Sequence, residues 1–340
     1  MIIRTDGSVS LGGGHVIRSE ALAVAMQSRG WTCKFAAKSA TLDIFPHLVR
    51  DYDCLRLDCA ADDEPIVLRE SHPAQASLLV VDHPERGRAF EAACRGWAAR
   101  VLSIDGSLRS HDCDLLVDPL PDRNSADYNA LVPPTSVLLL GPQYAPLRSS
   151  FADLREASLT RRAGLRPVER IVVVCGATDA ANQAVSLLRA LDDSSLPASV
   201  QVVVPAGPHR RDDVEKFASR SRVSVDVRDW VPNPAALFAE SDLALVCGGS
   251  VCWELCALGV PTIVVAIAAN QRFVANALHR HGAALVGSRC DAVDSAQVTS
   301  AVDRLVNDAL LRRNISRAAA RLCDGRGADR VARAVTETAH

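Results

Sequence analysis

Residues 241–271 constrain the fold more than any other part of this chain. They read S-D-L-A-L-V-C-G-G-S-V-C-W-E-L-C-A-L-G-V-P-T-I-V-V-A-I-A-A-N-Q. The unbroken apolar run Leu243–Cys247 predicts a strand buried on both faces, as parallel strands are. Gly248 and Gly249 follow as a turn, and Ser250 stands where a helix N-cap belongs. A helix is predicted over Val251–Leu258, stopped by Gly259 and Pro261, and a second buried strand over residues 262–266. Strand, glycine turn, helix and strand in this order make the repeating unit of a parallel α/β sheet.

Such a unit suits an anion. The first NH groups of a helix have no partner inside it, and the helix dipole places partial positive charge there. Gly248 and Gly249 let a phosphate approach the backbone without meeting a Cβ. Glu254, one helical turn beyond Ser250, brings a carboxylate to the same end, where it can accept hydrogen bonds from ribose hydroxyls. A capped helix with an ion-paired glutamate has the same local sequence.

The N-terminus repeats the arrangement. Residues 1–5 predict a strand, and residues 11–14 read L-G-G-G. A helix beginning near His15 then carries Val16, Ile17, Leu22, Ala25 and Met26 before Gly30. G-G-G-H is not the dinucleotide fingerprint G-x-G-x-x-G. His15 is its distinctive residue: positive helix potential favours the neutral imidazole, able to take a proton near pH 7. A histidine that caps or packs at a turn satisfies the same spacing. Residues 78–82, L-L-V-V-D, predict another buried strand, which sets Asp82 and His83 at the carboxyl edge where ligands of α/β sheets bind.

A chain of 340 residues with two such glycine turns divides into two domains better than one. The expected division is 1–150, a linker over 151–168 that follows a solvated, arginine-bearing helix face, and 169–340, whose helical end crosses back to the first domain. A hydrophobic content of 48% with 23% charge suffices for ordinary cores. A net charge of -2 and scattered basic residues speak against nucleic acid, and 4% aromatic content speaks against stacking on single strands. No apolar run is long enough to insert into a membrane, and Arg4 and Asp6 interrupt the start too early for a signal peptide. A cytoplasmic monomer is expected. The 11 cysteines are odd in number and irregularly spaced; Cys175 and Cys247 lie in apolar runs and read as small core residues in a reducing compartment. Cys252 and Cys256 lie one helical turn apart, and His111, Cys113 and Asp114 lie close in sequence, but neither set has the spacing of a metal site.

Together the motifs carry a resemblance. G-G-S-x-x-W-E-x-x-x-L-G-x-P followed by N-Q resembles the nucleotide-binding half of GT-B proteins that handle UDP-sugars. R-T-D-G-S-x-x-x-G-x-G-H-x-x-R, from Arg4 to Arg18, is similar to the opening of the UDP-2,4-diacetamido-2,4,6-trideoxy-β-L-altropyranose hydrolase family of pseudaminic acid biosynthesis. That family is itself similar to the transferase that adds N-acetylglucosamine in lipid II synthesis. Asp105, Arg109, His111, Cys113, Asp114 and Asp118 match it too, as does L-L-L-G-P-Q-Y-A-P-L-R over residues 138–148.

The resemblance implies a GT-B architecture: two Rossmann-like, doubly wound parallel-sheet α/β domains facing a cleft. It implies a UDP-sugar as the small-molecule partner, no cofactor and no metal. It gives His15 the role of base, and sets Arg4, Asp6, Gly14 and Asp82 on the substrate. Gly176, Gly248, Gly249, Ser250 and Glu254 would hold the nucleotide, with Val231 beside the uracil and Asn270 and Gln271 facing the sugar. The implied reaction is hydrolysis at the anomeric carbon, releasing UDP. A glycosyltransferase of the same fold, with an acceptor in place of water, is the alternative. Pro84 stands where the family shows a tyrosine thought to touch substrate, so the sugar is expected to differ.

Overall fold

The computed structural model describes residues 1–72, 74–176, 179, 183–207, 210–229, 231, 233–266, 269–288 and 293–337, with 269 and 270 described by backbone alone. The chain forms two compact units, one of Met1–Leu147 with Arg326–His340, the other of Arg148–Gly325.

The first unit holds strands β1 (Ile2–Thr5), β2 (Lys34–Ala37), β3 (Asp53–Arg56), β4 (Leu79–Asp82), β5 (Val101–Ile104), β6 (Leu115–Asp118) and β7 (Val137–Leu140). They form one sheet in the order β3-β2-β1-β4-β5-β6-β7, and every pairing in it is parallel. Alternate residues point to opposite faces. Ile3 and Val80 therefore enter one core with Leu22 and Met26, while Ile2, Leu79 and Val81 enter the other with Phe90 and Trp97. Both faces are apolar, which is why these strands read as continuous apolar runs. Helix Gly327–Glu337 belongs here as well: Ala328, Val331, Ala332 and Val335 lie in the same core as Ile3.

The second unit holds β8 (Arg170–Val174), β9 (Gln201–Ala206), β10 (Ser224–Asp229), β11 (Leu243–Cys247), β12 (Thr262–Val265) and β13 (Leu285–Ser288). Their order is β10-β9-β8-β11-β12-β13, again parallel throughout. In each sheet the strand order reverses once, between β1 and β4 and between β8 and β11. Beyond the carboxyl ends of such strand pairs lies the crevice where α/β sheets take their ligands.

The segment between β2 and β3 is two short helices, Ser39–Ile44 and His47–Asp51. Pro46 forces Phe45 out of the helical region, to φ -118, ψ 64. The arginine-bearing stretch after residue 148 forms helices Ser149–Asp153 and Arg155–Ala163 within the second unit. Its basic face is not wholly solvated: Arg162 is buried and donates to the carbonyls of Phe238 and Ala239 at 3.0 and 3.1 Å.

Candidate active site

In the first unit, His15 and Asp82 meet at the strand reversal. Asp82 is the last residue of β4, paired in register with Thr5 of β1. The chain leaves β1 through the glycine loop and enters helix Gly14–Gln27, with Gly14 its first residue and His15 its second. His15 Nδ1 lies 2.6 Å from Asp82 Oδ1. Arg18, one turn further along the helix, donates to Asp82 Oδ2 from Nε at 2.7 Å and to Oδ1 from Nη2 at 2.5 Å, and Ser19 Oγ donates at 3.2 Å. Burial alone would raise the pKa of Asp82, but Arg18 and His15 outweigh it and hold it down at about 2. In the tautomer with the proton on Nδ1, that nitrogen donates to Asp82 and Nε2 carries the lone pair; Arg18 Nη2 also lies 3.0 Å from Nδ1. Asp82 is thus a carboxylate partner of this imidazole that the sequence did not show. His15 keeps 22% of its side chain exposed, whereas Asp82 keeps none.

Asp82 is thus fully buried among His15, Arg18 and Ser19. Arg4 and Asp6 are buried likewise. Arg4 has no exposed surface; Nε and Nη2 each donate to Glu64 at 2.8 Å, and Nη2 also pairs with Asp6 at 2.8 Å. Glu64 takes Arg86 as well, at 3.0 and 2.7 Å. Asp6 accepts from the Lys38 amide at 2.8 Å and the Thr41 hydroxyl at 2.9 Å, and lies 3.3 Å from His83 Nε2. The network ties the end of β1 to Lys38, Thr41, Glu64 and His83.

Glu64 and Glu91 were not singled out in the sequence, where nothing local distinguishes a buried glutamate on a helix. Glu91 accepts from His111 Nδ1 at 2.7 Å, and Asp105 lies 3.1 Å from His111 Nε2. Burial alone would lower the pKa of His111; Asp105 and Glu91 reverse that and raise it to about 9. The three residues weighed for a metal have separate employments. His111 is clamped between these acids, Cys113 is in the core, and Asp114 pairs with Arg95 at 2.7 Å. Arg109 holds the departure from the family motif in place, donating to the carbonyls of Pro84 at 2.5 Å and His83 at 3.1 Å.

In the second unit the glycine turn follows β11. A Cβ on Gly248 would stand 2.8 Å from Gln271 Cβ, so the start of helix Ala269–Arg280 packs directly on the turn. Gly249 has φ +101, a conformation that other residues rarely adopt. Helix Val251–Leu258 begins next. Ser250 holds the N-cap position read from the sequence, but its φ -63 and ψ -27 are already helical and its side chain makes no capping bond. The Cys252 and Trp253 amides turn back onto the carbonyls of Gly249 and Ser250 at 3.2 and 3.0 Å. Glu254 is 7% exposed. Burial pushes its carboxyl up to about 7, against a smaller opposite pull from the Arg148 charge.

Gly176, two residues after β8, has φ +80 and is exposed. Val231 is half-buried. The side chain of Asn270, and residues 177, 178 and 180–182 beside Gly176, lie outside the described residues. Among the described residues, no helix is long and apolar enough to cross a membrane.

Residues 170–330 match the glycosyltransferase family 28 C-terminal domain. The chain is 23% identical over 285 residues to the UDP-2,4-diacetamido-2,4,6-trideoxy-beta-L-altropyranose hydrolase of Campylobacter jejuni, covering 83% of this chain and 97% of that protein. It is 20% identical over 268 residues to an uncharacterized protein of Methanocaldococcus jannaschii, covering 77% of this chain and only 54% of that protein. Of solved structures, MurG of Acinetobacter baumannii superposes with a TM-score of 0.69 at 14% identity, covering 99% of both chains.

Proposed function

We propose, from the premise that this chain is a GT-B protein related to the UDP-diacetamido-trideoxy-altropyranose hydrolases, that it hydrolyses a UDP-activated amino-deoxy sugar at the anomeric carbon. The observation that carries the reading is the 2.6 Å contact between a buried Asp82 and a partly exposed His15. A mere binder needs no histidine held in one tautomer. His15 Nε2 takes a proton from water as the water oxygen bonds to the anomeric carbon. The bond from that carbon to the β-phosphate oxygen breaks, and its electron pair leaves with UDP. Asp82 stabilises the imidazolium that results. The Ser250 and Val251 amides, at the positive end of their helix, receive the phosphate charge, and Glu254 accepts from ribose hydroxyls.

His15→Ala tests this directly. UDP affinity should stay near native, because the nucleotide residues belong to the other unit, while turnover falls by roughly 10²–10⁴-fold. Turnover in ¹⁸O-water should label the sugar and not UDP. Label in UDP would mean attack at phosphorus, and normal turnover by the variant would remove His15 from the chemistry.

A second reading is a glycosyltransferase, in which a sugar or aglycone hydroxyl replaces water. It is favoured by the family 28 match and by Pro84 in the tyrosine position. UDP release that depends on an added hydroxyl compound would establish it.

A further inference from the structure

We propose that Cys175 and Cys247 are a reversible disulfide site that controls the nucleotide turn of the second unit. The controlling part rests on the UDP-binding reading; the bond itself does not. β8 and β11 are neighbours, with Val174 opposite Val246. Cys175 and Cys247 are the next residue on each strand, so they occupy equivalent positions and share a face. Adjacent strands lie about 4.8 Å apart, inside the Cα spacing of about 4.4–6.8 Å that a disulfide spans. The two Sγ atoms are 3.3 Å apart, and both side chains belong to the same core. This is the strand reversal of the sheet, and the residues that follow the two cysteines are Gly176 and Gly248. Bonding would draw the sulfurs in to about 2.05 Å and pull the strand ends together where both turns begin. The Gly248 turn has little room to follow, because Gln271 already stands on it.

The oxidant is hydrogen peroxide. The half-buried Cys175 thiol is reached first: its sulfur bonds to one peroxide oxygen, the O–O bond breaks, and water leaves once the thiol proton is transferred. The buried Cys247 sulfur then attacks that sulfenic sulfur. The S–O bond breaks, the S–S bond forms, and a second water carries away the second thiol proton. Two thiols are oxidised to one disulfide while one hydrogen peroxide is reduced to two waters. The contact with Cys247, followed by burial, pushes the Cys175 thiol pKa up, so the reaction should quicken as pH rises.

The experiment treats the full chain with hydrogen peroxide under native conditions, maps disulfides by mass spectrometry of peptides, and measures UDP binding by calorimetry before and after. The expected result is a linked peptide joining Cys175 to Cys247, with UDP affinity lowered on the order of tenfold and restored by dithiothreitol. Cys175→Ser and Cys247→Ser, each checked for native melting, should keep their UDP affinity through peroxide. Absence of the linked peptide, or its presence with unchanged UDP affinity, overturns the proposal. If the reduced protein binds no UDP, the functional reading has failed and the control goes with it, while the peptide map still decides whether the bond exists.

Discussion

At Glu254 burial opposes ionisation. An exposed glutamate titrates at 4.5, whereas this one titrates at about 7. The sign follows from that difference. Below 4.5 both folded and unfolded chains carry the proton, and there is no penalty. As pH rises from 4.5 through 7 the unfolded chain ionises first, and stability falls. Above 7 the deficit is complete, at about 3 kcal/mol. Glu254→Gln should therefore melt higher than the native protein at about pH 8, yet bind UDP more weakly by about 1–3 kcal/mol. Melting curves across this pH range, with and without UDP, make the check. A variant less stable at high pH would show a carboxylate already partnered. The sequence put a carboxylate at the helix start but could not show that it is buried. Likewise Asp82 was legible as a strand end, while its link to Arg18, 64 positions away in the chain, exists only once the sheet has formed.

At the scale of elements, His111 joins Glu91 of helix Arg88–Cys94 to Asp105, just beyond β5. Its pKa is raised from 6.5 to about 9. The clamp therefore contributes its full stability below 6.5 and loses it as pH rises through about 9, with at most about 3 kcal/mol involved. His111→Ala should be less stable at neutral pH and should lack this decline; thermal melting across that window checks it. In the second unit, Gly248→Ala would press a methyl group against Gln271 at 2.8 Å and shift the turn. Overpacking of this kind costs about 1–3 kcal/mol, and UDP affinity should fall as well. Unchanged affinity by calorimetry would separate this turn from the nucleotide. β11 and helix Val251–Leu258 were legible residue by residue, because an apolar run, a glycine pair and a glycine–proline stop mark each boundary. β7 was not read as a strand, since its V-L-L-L lies within a family motif and burial of its residues is mixed. Ser250 reads as a cap by residue type and holds that position, but its side chain makes no capping bond.

Over the whole molecule, two parallel sheets with helices were legible because unbroken apolar strands alternate with helical segments. The return of the helical end to the first unit was expected, but amphipathic spacing did not show which core residues its apolar face would meet. Val331 and Val335 are fully buried, and each such side chain contributes about 1.5–3 kcal/mol. Deleting residues 326–340 should therefore lower the melting temperature of the first unit sharply and leave UDP binding by the second in place. Loss of both together, by calorimetry, would contradict this division. The same connectivity sets a timetable. The chain leaves the first unit at Leu147 and returns to it at Arg326. During synthesis, the second unit has all its residues while the first still lacks a wall of its core. The unit begun first is finished last. A chain interrupted before Arg326 would have a sound interior insert and an open outer unit, exposing the apolar face around Ile3 and Leu22 to chaperones and proteases.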